Sequence, residues 1–274
     1  MFNKKSKRAV PYIILVILAV IFALPLLWIV FAAFDKNAVS NFKIPTEWTV
    51  GNFVEVLTNE KNQRSFANGI WISLAQSVIV VAVSIFAAYP LSRYELKYKN
   101  IFMNTILFMT ALPMTAVMVP VYKIFLNVGL FNTMTGVILF MSATSLPYGI
   151  WLMKNFLDGI PLDLDEAAHV DGATVFTVLF KIIVPLIFPG ICVVFIYTFS
   201  GSWGNFFVPY ILLNSADKVP ASVTLYQFFG SHGTVVYGQL AAFSALYAMP
   251  ALILYVLSQT WMSKGFNLSG AAKG

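Results

Sequence analysis

Charge is the scarcest property of this chain. Its 274 residues include 17 Lys and Arg and 11 Asp and Glu, so 10% are charged, while 59% are hydrophobic and the mean hydropathy is +0.81. A soluble domain carries about a quarter charged residues. The length would allow two soluble domains of about 150 residues, but so few charges cannot solvate their surfaces. A water-soluble globule is excluded. Cysteine is nearly absent as well: Cys192 stands alone, which rules out an intrachain disulfide framework, a zinc cluster and an iron–sulfur site. It lies in an apolar run and reads as inert. The net charge of +6 raises the question of nucleic acid, yet the basic residues are thinly spread beside apolar runs and form no patch, so no nucleic-acid partner is expected. No internal repeat and no low-complexity tract interrupts the chain.

What fills it instead is six charge-free runs, at 12–34, 66–91, 101–121, 134–153, 182–203 and 240–261. Each has the length of roughly 20 residues that a helix needs to cross a bilayer. The expected fold class is therefore an all-α membrane protein with six transmembrane helices. A further apolar stretch, 206–213, is too short and contains Pro209. It is expected to be an interfacial or re-entrant piece whose backbone needs protein or water partners. Lys4, Lys5, Lys7 and Arg8 before the first run resemble a secretory signal with Val30 and Ala32 at its cleavage site. That run exceeds the roughly 7–15 residues of a signal's apolar region and is expected to be retained.

With the N-terminus inside, eleven Lys and Arg fall in cytoplasmic segments and six in outer ones. This obeys the positive-inside rule and places both termini in the cytoplasm. The chain divides into 1–65, with the tail, first helix and outer segment; 66–262, a core of five transmembrane helices; and 263–274, a cytoplasmic tail.

None of the six runs contains Asp, Glu, Lys, Arg or His. Secondary transporters and pumps usually place ionisable groups within the membrane, so ion coupling could rest only on backbone carbonyls. The two histidines, His169 and His232, fall on opposite sides of the membrane and cannot form one catalytic cluster. No G-x-x-x-x-G-K-[ST] phosphate loop is present, so energy for any work must come from a partner. The chain reads as a non-enzyme that binds no cofactor.

The runs do carry Pro25, Pro113, Pro120, Pro147, Pro185, Pro189 and Pro250, and glycines that include Gly69, Gly149 and Gly190. Kinked, closely packed helices around a pathway are one reading, and ordinary membrane-helix tolerance of these residues is the other. Neutral groups such as Asn68 and Gln76 can line a path for a polar solute or bond helices together. At the end of the fifth run, Tyr197, Trp203 and Asn205 combine aromatics with an amide, a mixture that suits a sugar. Trp203 reads equally well as an interfacial anchor.

One loop breaks the basic habit of the inner face. Between runs four and five lie Asp158, Asp163, Asp165, Glu166 and Asp171. Asp163 followed three residues later by Glu166 has the shape of a capping box, which predicts a helix over 164–170 with Asp163 as its N-cap. Leu164, Ala167 and Ala168 share a face. Asp171 and Gly172 end the helix, glycine supplying the left-handed conformation. The product is a short surface helix with a small-residue face that lets another protein approach, or else a solvated amphipathic turn.

These residues also resemble a family. Glu166-Ala167-Ala168, Gly172, Ile182 and Pro185 follow the E-A-A-x3-G-x9-I-x-L-P signature of binding-protein-dependent ABC importer permeases, with Val184 where the family usually has Leu. The stretch from Asn68 to Arg93, with Ala87-Ala88-Tyr89-Pro90-Leu91-Ser92-Arg93, looks like that family's second span. Trp203-Gly204-Asn205 and the terminal Gly270 to Gly274 look like its carbohydrate subgroup, the maltose and multiple-sugar type. The resemblance implies a type I importer permease fold in a bacterial cytoplasmic membrane, paired with a second permease subunit, usually a different chain. It further implies two ABC ATPase subunits that bind ATP and Mg, and an extracellular solute-binding protein. Asp163, Leu164, Glu166, Ala167, Ala168, Asp171 and Gly172 would then form the coupling element that docks in the ATPase. Two rival readings differ from it. A stand-alone secondary transporter or channel would move solute without ATP, and a scaffold would anchor an ATPase without forming a path.

Overall fold

In the computed structural model the backbone is described for residues 4–229 and 235–271, and the side chains for 11–229 and 235–259. His232 and residues 272–274 lie outside the described residues. Among the described residues the architecture is helical, with one isolated antiparallel bridge between Asp35 and Trp48. The helices are α1 (Lys4–Ala33), α2 (Gly51–Thr58), α3 (Glu60–Arg93), α4 (Lys99–Met109), α5 (Met114–Asn127), α6 (Met134–Asp158) and α7 (Asp163–Val170). Then follow α8 (Val175–Thr177), a π-helical turn (Val178–Ile183), α9 (Val184–Leu186), α10 (Phe188–Trp203), α11 (Phe207–Leu212), α12 (Ala221–Gln227) and α13 (Tyr237–Ala271).

Stretches of α1, α3, α6 and α13 are long and apolar enough by themselves to cross a membrane. The other two expected spans are bent. The third run divides into α4 and α5, which meet at 91°. Pro113 sits between them with extended backbone, φ −66° and ψ 122°, and a proline both lacks an N–H and steers the residue before it away from helical backbone. The fifth run breaks at Ile187, where the segment Val175–Leu186 meets α10 at 75°. Pro189 opens α10 and Pro185 lies just beyond the π-helical turn. A proline at 185 leaves the Lys181 carbonyl without its helical donor and presses its ring against it; the wider π turn is the response. Six spans are reached by counting each bent pair as one.

The chain forms two compact units. The first comprises residues 1–63 and 224–249. Within it the segment after α1 is held by Asp35, which contacts Lys43 at 3.0 Å, and by Asn52, whose amide donates to the Ala33 and Asp35 carbonyls. Trp28 packs edge-on against Tyr237.

The second unit comprises 64–223 and 250–274. Its core joins Val80, Tyr89, Met153, Leu157, Ala168, Val178, Ile183 and Val194, so α3, α6, α7, the π turn and α10 meet in one cluster. Glycine sets how closely two of them approach. A β-carbon added at Gly190 of α10 would lie 2.4 Å from the Phe156 ring of α6. The stretch 206–213, expected to be a re-entrant piece, folds as the short helix α11 with Val208, Pro209 and Leu212 buried.

Candidate functional site

The acidic loop folds as the sequence leads one to expect, with one shift. The helix begins at Asp163 rather than Leu164, and its N-cap is Leu162, whose backbone is already helical at φ −65° and ψ −29° and whose side chain caps nothing. The expected capping box therefore does not form. Asp163 instead occupies the first turn with Asp165 and Glu166, where negative charge suits the helix dipole.

The helix's other end matches the expectation closely. Gly172 has φ +81°. Its N–H donates to the His169 carbonyl at 3.0 Å, and the Ala173 N–H reaches back to the Ala168 carbonyl at 2.9 Å. This is the Schellman arrangement, which satisfies the last carbonyls of a helix and needs a left-handed residue at this position.

Asp165 is the residue that fixes α7 in place, a role that its position among the acids of the loop does not disclose. It is 6% exposed. Its Oδ2 lies 3.0 Å from Arg93 Nε at the end of α3, and its Oδ1 accepts from the Tyr89 hydroxyl at 3.0 Å. Arg93 Nη1 also donates to the carbonyls of Leu157 and Ile160 at 3.2 and 3.3 Å. One guanidinium thus ties α3, the end of α6 and α7 together. Beside it Ser92 and Lys154 both contact Asp158. Asp165 and Ala168, three apart on α7, both face inward.

Consequently the expected face of Leu164, Ala167 and Ala168 is divided. Ala168 is buried in the core while Leu164 and Ala167 are exposed with Asp163, Glu166, Asp171 and Gly172. Apolar groups flank these acids: Val170 is 87% exposed and Phe176 68%. An exposed surface of acids and apolar side chains, held from inside by Asp165, is suited to docking. No group of three or more His, Cys, Asp or Glu that could hold a metal occurs among the described residues.

Most of the candidate path residues are engaged in packing or in hydrogen bonds that hold the fold. Asn68 donates to the carbonyls of Asp217 and Val219. Gln76 is buried and donates to the Met141 carbonyl and Ser145 hydroxyl, bonding α3 to α6. Asn205 accepts from the Val208 N–H at the start of α11. Trp203 is 5% exposed, packed against Phe66 and Phe199 and tight against Gly69. Tyr197 differs, being 50% exposed with its ring 4.5 Å from that of Tyr148.

Residues 80–267 match the binding-protein-dependent transport system inner membrane component family. The chain belongs to this family. It is a multi-pass inner-membrane permease of the ABC transport class, a transport component rather than a catalytic one. The permease is 30% identical over 235 residues to the inner membrane ABC transporter permease protein YcjP of Escherichia coli, covering 84% of this chain and 82% of that one. It is 28% identical over 260 residues to the arabinooligosaccharides transport system permease protein AraQ of Halalkalibacterium halodurans, covering 92% of each. Its fold is that of a chain in the crystal structure of a bacterial ABC transporter involved in the import of the acidic polysaccharide alginate. The TM-score is 0.81 at 22% identity, over 95% of this chain and 99% of that one.

Proposed function

We propose that this permease is one of two membrane subunits of an ATP-driven importer for a sugar or oligosaccharide, with both termini in the cytoplasm. The observation that carries the reading is α7, whose Asp165 is locked to Arg93 while Glu166, Ala167 and Leu164 stay exposed. A lever must be rigid towards what it moves and exposed towards what moves it, and α7 has both properties. In this reading the 163–172 loop docks in a cleft of a cytoplasmic ABC ATPase. ATP and Mg bind there, and this chain has no catalytic site of its own. Closure of two ATPases draws the coupling helices together, and the buried Asp165–Arg93 link passes the motion to α3 and α6. The second permease is a different chain, and a solute-binding protein delivers sugar to the outer segments 35–64 and 205–239.

The sugar assignment is supported by the substrates for which relatives are named, among them arabino-oligosaccharides and diacetylchitobiose. Tyr197, Ser200 and Gly201, with Gly204 at the C-cap, form an exposed face of α10 at helical spacing. An aromatic with small and hydroxyl-bearing neighbours suits a sugar ring, so the path runs along this face. Asn68, Gln76 and Asn205 serve this path indirectly, by fixing the helices around it.

The experiment is co-purification of the complex from native membranes, with mass spectrometry of partners and bound solute, followed by reconstitution. ATP-dependent uptake of a sugar that requires the binding protein is the expected result. Solute flux through this chain alone in liposomes, without ATP, would overturn the reading.

A further inference from the structure

At the end of α3 that carries Arg93, the chain turns through residues 94–98 and leaves again as α4. Beside the turn lies an open apolar groove of about 510 Å3, lined by Ala87, Pro90, Leu91, Phe102 and the residues 96–99. The size falls in the ~300–1,000 Å3 range of ligand sites. Its floor and rim differ in chemistry. Ala87, Pro90 and Leu91 belong to a charge-free run, as does Phe102, so the floor lies at membrane depth. The rim holds Lys97, Tyr98 and Lys99, at the point where the chain leaves the apolar layer.

The neighbouring cations are already matched. Arg93 is paired with Asp165 and Lys154 with Asp158. Lys97 and Lys99 form no ion pair within 4 Å among the described residues. Lys97 lies 5.5 Å from the centroid of the Tyr98 ring, and Lys99 acts on Asp158 only through its longer-range charge. Glu95, exposed in the same turn, is the nearest acid in sequence. Two lysines without an ion pair within 4 Å among the described residues therefore line an apolar groove at the membrane boundary.

We propose that this groove is a binding site for an anionic phospholipid, its phosphodiester head held by Lys97 and Lys99 and an acyl chain lying over Pro90, Leu91 and Phe102. Lysine stems lie along the apolar wall while their ends reach the headgroup. Tyr98 is an amphipathic ring of the kind enriched at this depth. An apolar helix of another subunit would fill the groove but leave both ammonium groups unanswered. The proposal rests only on α3 and α4 being embedded in the membrane and is independent of what the importer carries.

The test is native mass spectrometry of the purified complex, titrated with phosphatidylglycerol and, separately, phosphatidylcholine of the same acyl chains. Near-surface lysines contribute about fivefold each to binding of anionic lipid. Wild type should retain phosphatidylglycerol about tenfold or more over phosphatidylcholine. Lys97→Gln and Lys99→Gln should each reduce that preference about fivefold, while Phe102→Ser should weaken both lipids and leave the preference intact. Equal retention of the two lipids by the wild-type complex, a comparison that needs no variant, would overturn the proposal. So would displacement of phosphatidylglycerol by millimolar inorganic phosphate, which would mark a small-anion site, or a complex in which a partner subunit excludes lipid from the groove.

Discussion

Arg93 Nε stands 3.0 Å from Asp165 Oδ2, with both side chains withdrawn from solvent, and the pair joins the end of α3 to α7, far along the chain. Removing one partner of a buried ion pair costs about 3–5 kcal/mol because the other is left charged and unmatched, whereas replacing both with apolar groups is often nearly neutral. Asp165→Leu and Arg93→Met should each lower thermal stability of the complex and abolish sugar uptake. The double variant should recover most of the stability. It should not recover full coupling of ATP hydrolysis to uptake, since the fork of Arg93 to the Leu157 and Ile160 carbonyls is also gone. Uptake per ATP equal to wild type in the double variant would show that the pair only holds the fold.

At Gly172 the space is open, as no atom lies within 4 Å of an added β-carbon. Any effect of substitution must therefore come from the backbone at φ +81°. Gly172→Val should cost about 1–2 kcal/mol and weaken ATPase association. Gly172→Asn, which tolerates the left-handed region, should be markedly milder. Equal loss in the two variants would point to contact with the partner instead of the cap. Co-purified ATPase per permease, at equal membrane abundance, measures the difference.

The loop was legible in the sequence because its signals are local. An acid-rich first turn, a glycine stop and a fixed signature all lie in one short stretch of chain. The anchor at Asp165 was not, since the partner that draws it inward comes from the end of α3, and spacing along the chain says nothing of a contact between residues so far apart in sequence. The same limit explains the capping box. Its pattern was present, but Leu162 is already helical and the first turn is positioned by Asp165 being held from inside. Hydropathy found six runs correctly as apolar stretches, yet could not tell a straight helix from one bent at Pro113 or Ile187, because composition is blind to direction.

Close approach of α6 and α10 depends on a missing side chain. A methyl group at Gly190 would meet Phe156 Cγ at 2.4 Å and Cβ at 2.8 Å, and the latter cannot swing away. Gly190→Ala should destabilise by about 1–3 kcal/mol. Adding Phe156→Leu, which removes part of the obstruction, should restore some of that loss. Additive losses in the double variant, read by thermal unfolding in detergent, would contradict the packing argument.

Asp35 gives the segment after α1 a pH dependence. Burial pushes its pKa up, but Lys43 and the Asn37 N–H outweigh it and the net shift is downward. A carboxyl depressed in the folded state contributes stability that is present above its unfolded pKa of about 3.9 and is lost as pH falls through the folded value. Hydrogen exchange over residues 35–48 should therefore rise on acidification below about pH 4. Asp35→Asn should show raised exchange already at neutral pH and little further change. An unchanged profile in the variant would remove Lys43 and Asp35 as the cause.

The two aromatics at the end of α10 separate path from packing. Trp203 is buried against Phe66, Phe199 and Gly69, so Trp203→Ala opens a cavity and should cost about 3–5 kcal/mol. Membrane abundance and uptake should fall together, and Trp203→Phe should recover part of both. Tyr197 presents an exposed ring against Tyr148. Its truncation opens no cavity and should leave abundance near wild type. If sugar passes along the face of Tyr197, Ser200 and Gly201, Tyr197→Ala lowers uptake several-fold at constant ATPase association, and Tyr197→Phe keeps most of it, because stacking needs the ring more than the hydroxyl. A residue that only packed against Tyr148 would also be replaceable by Phe, so the deciding readout is selectivity. The ratio of uptake of the native sugar to that of a shorter homologue should shift in Tyr197→Ala and stay fixed in Trp203→Ala. A shift confined to Trp203→Ala would exchange the two assignments.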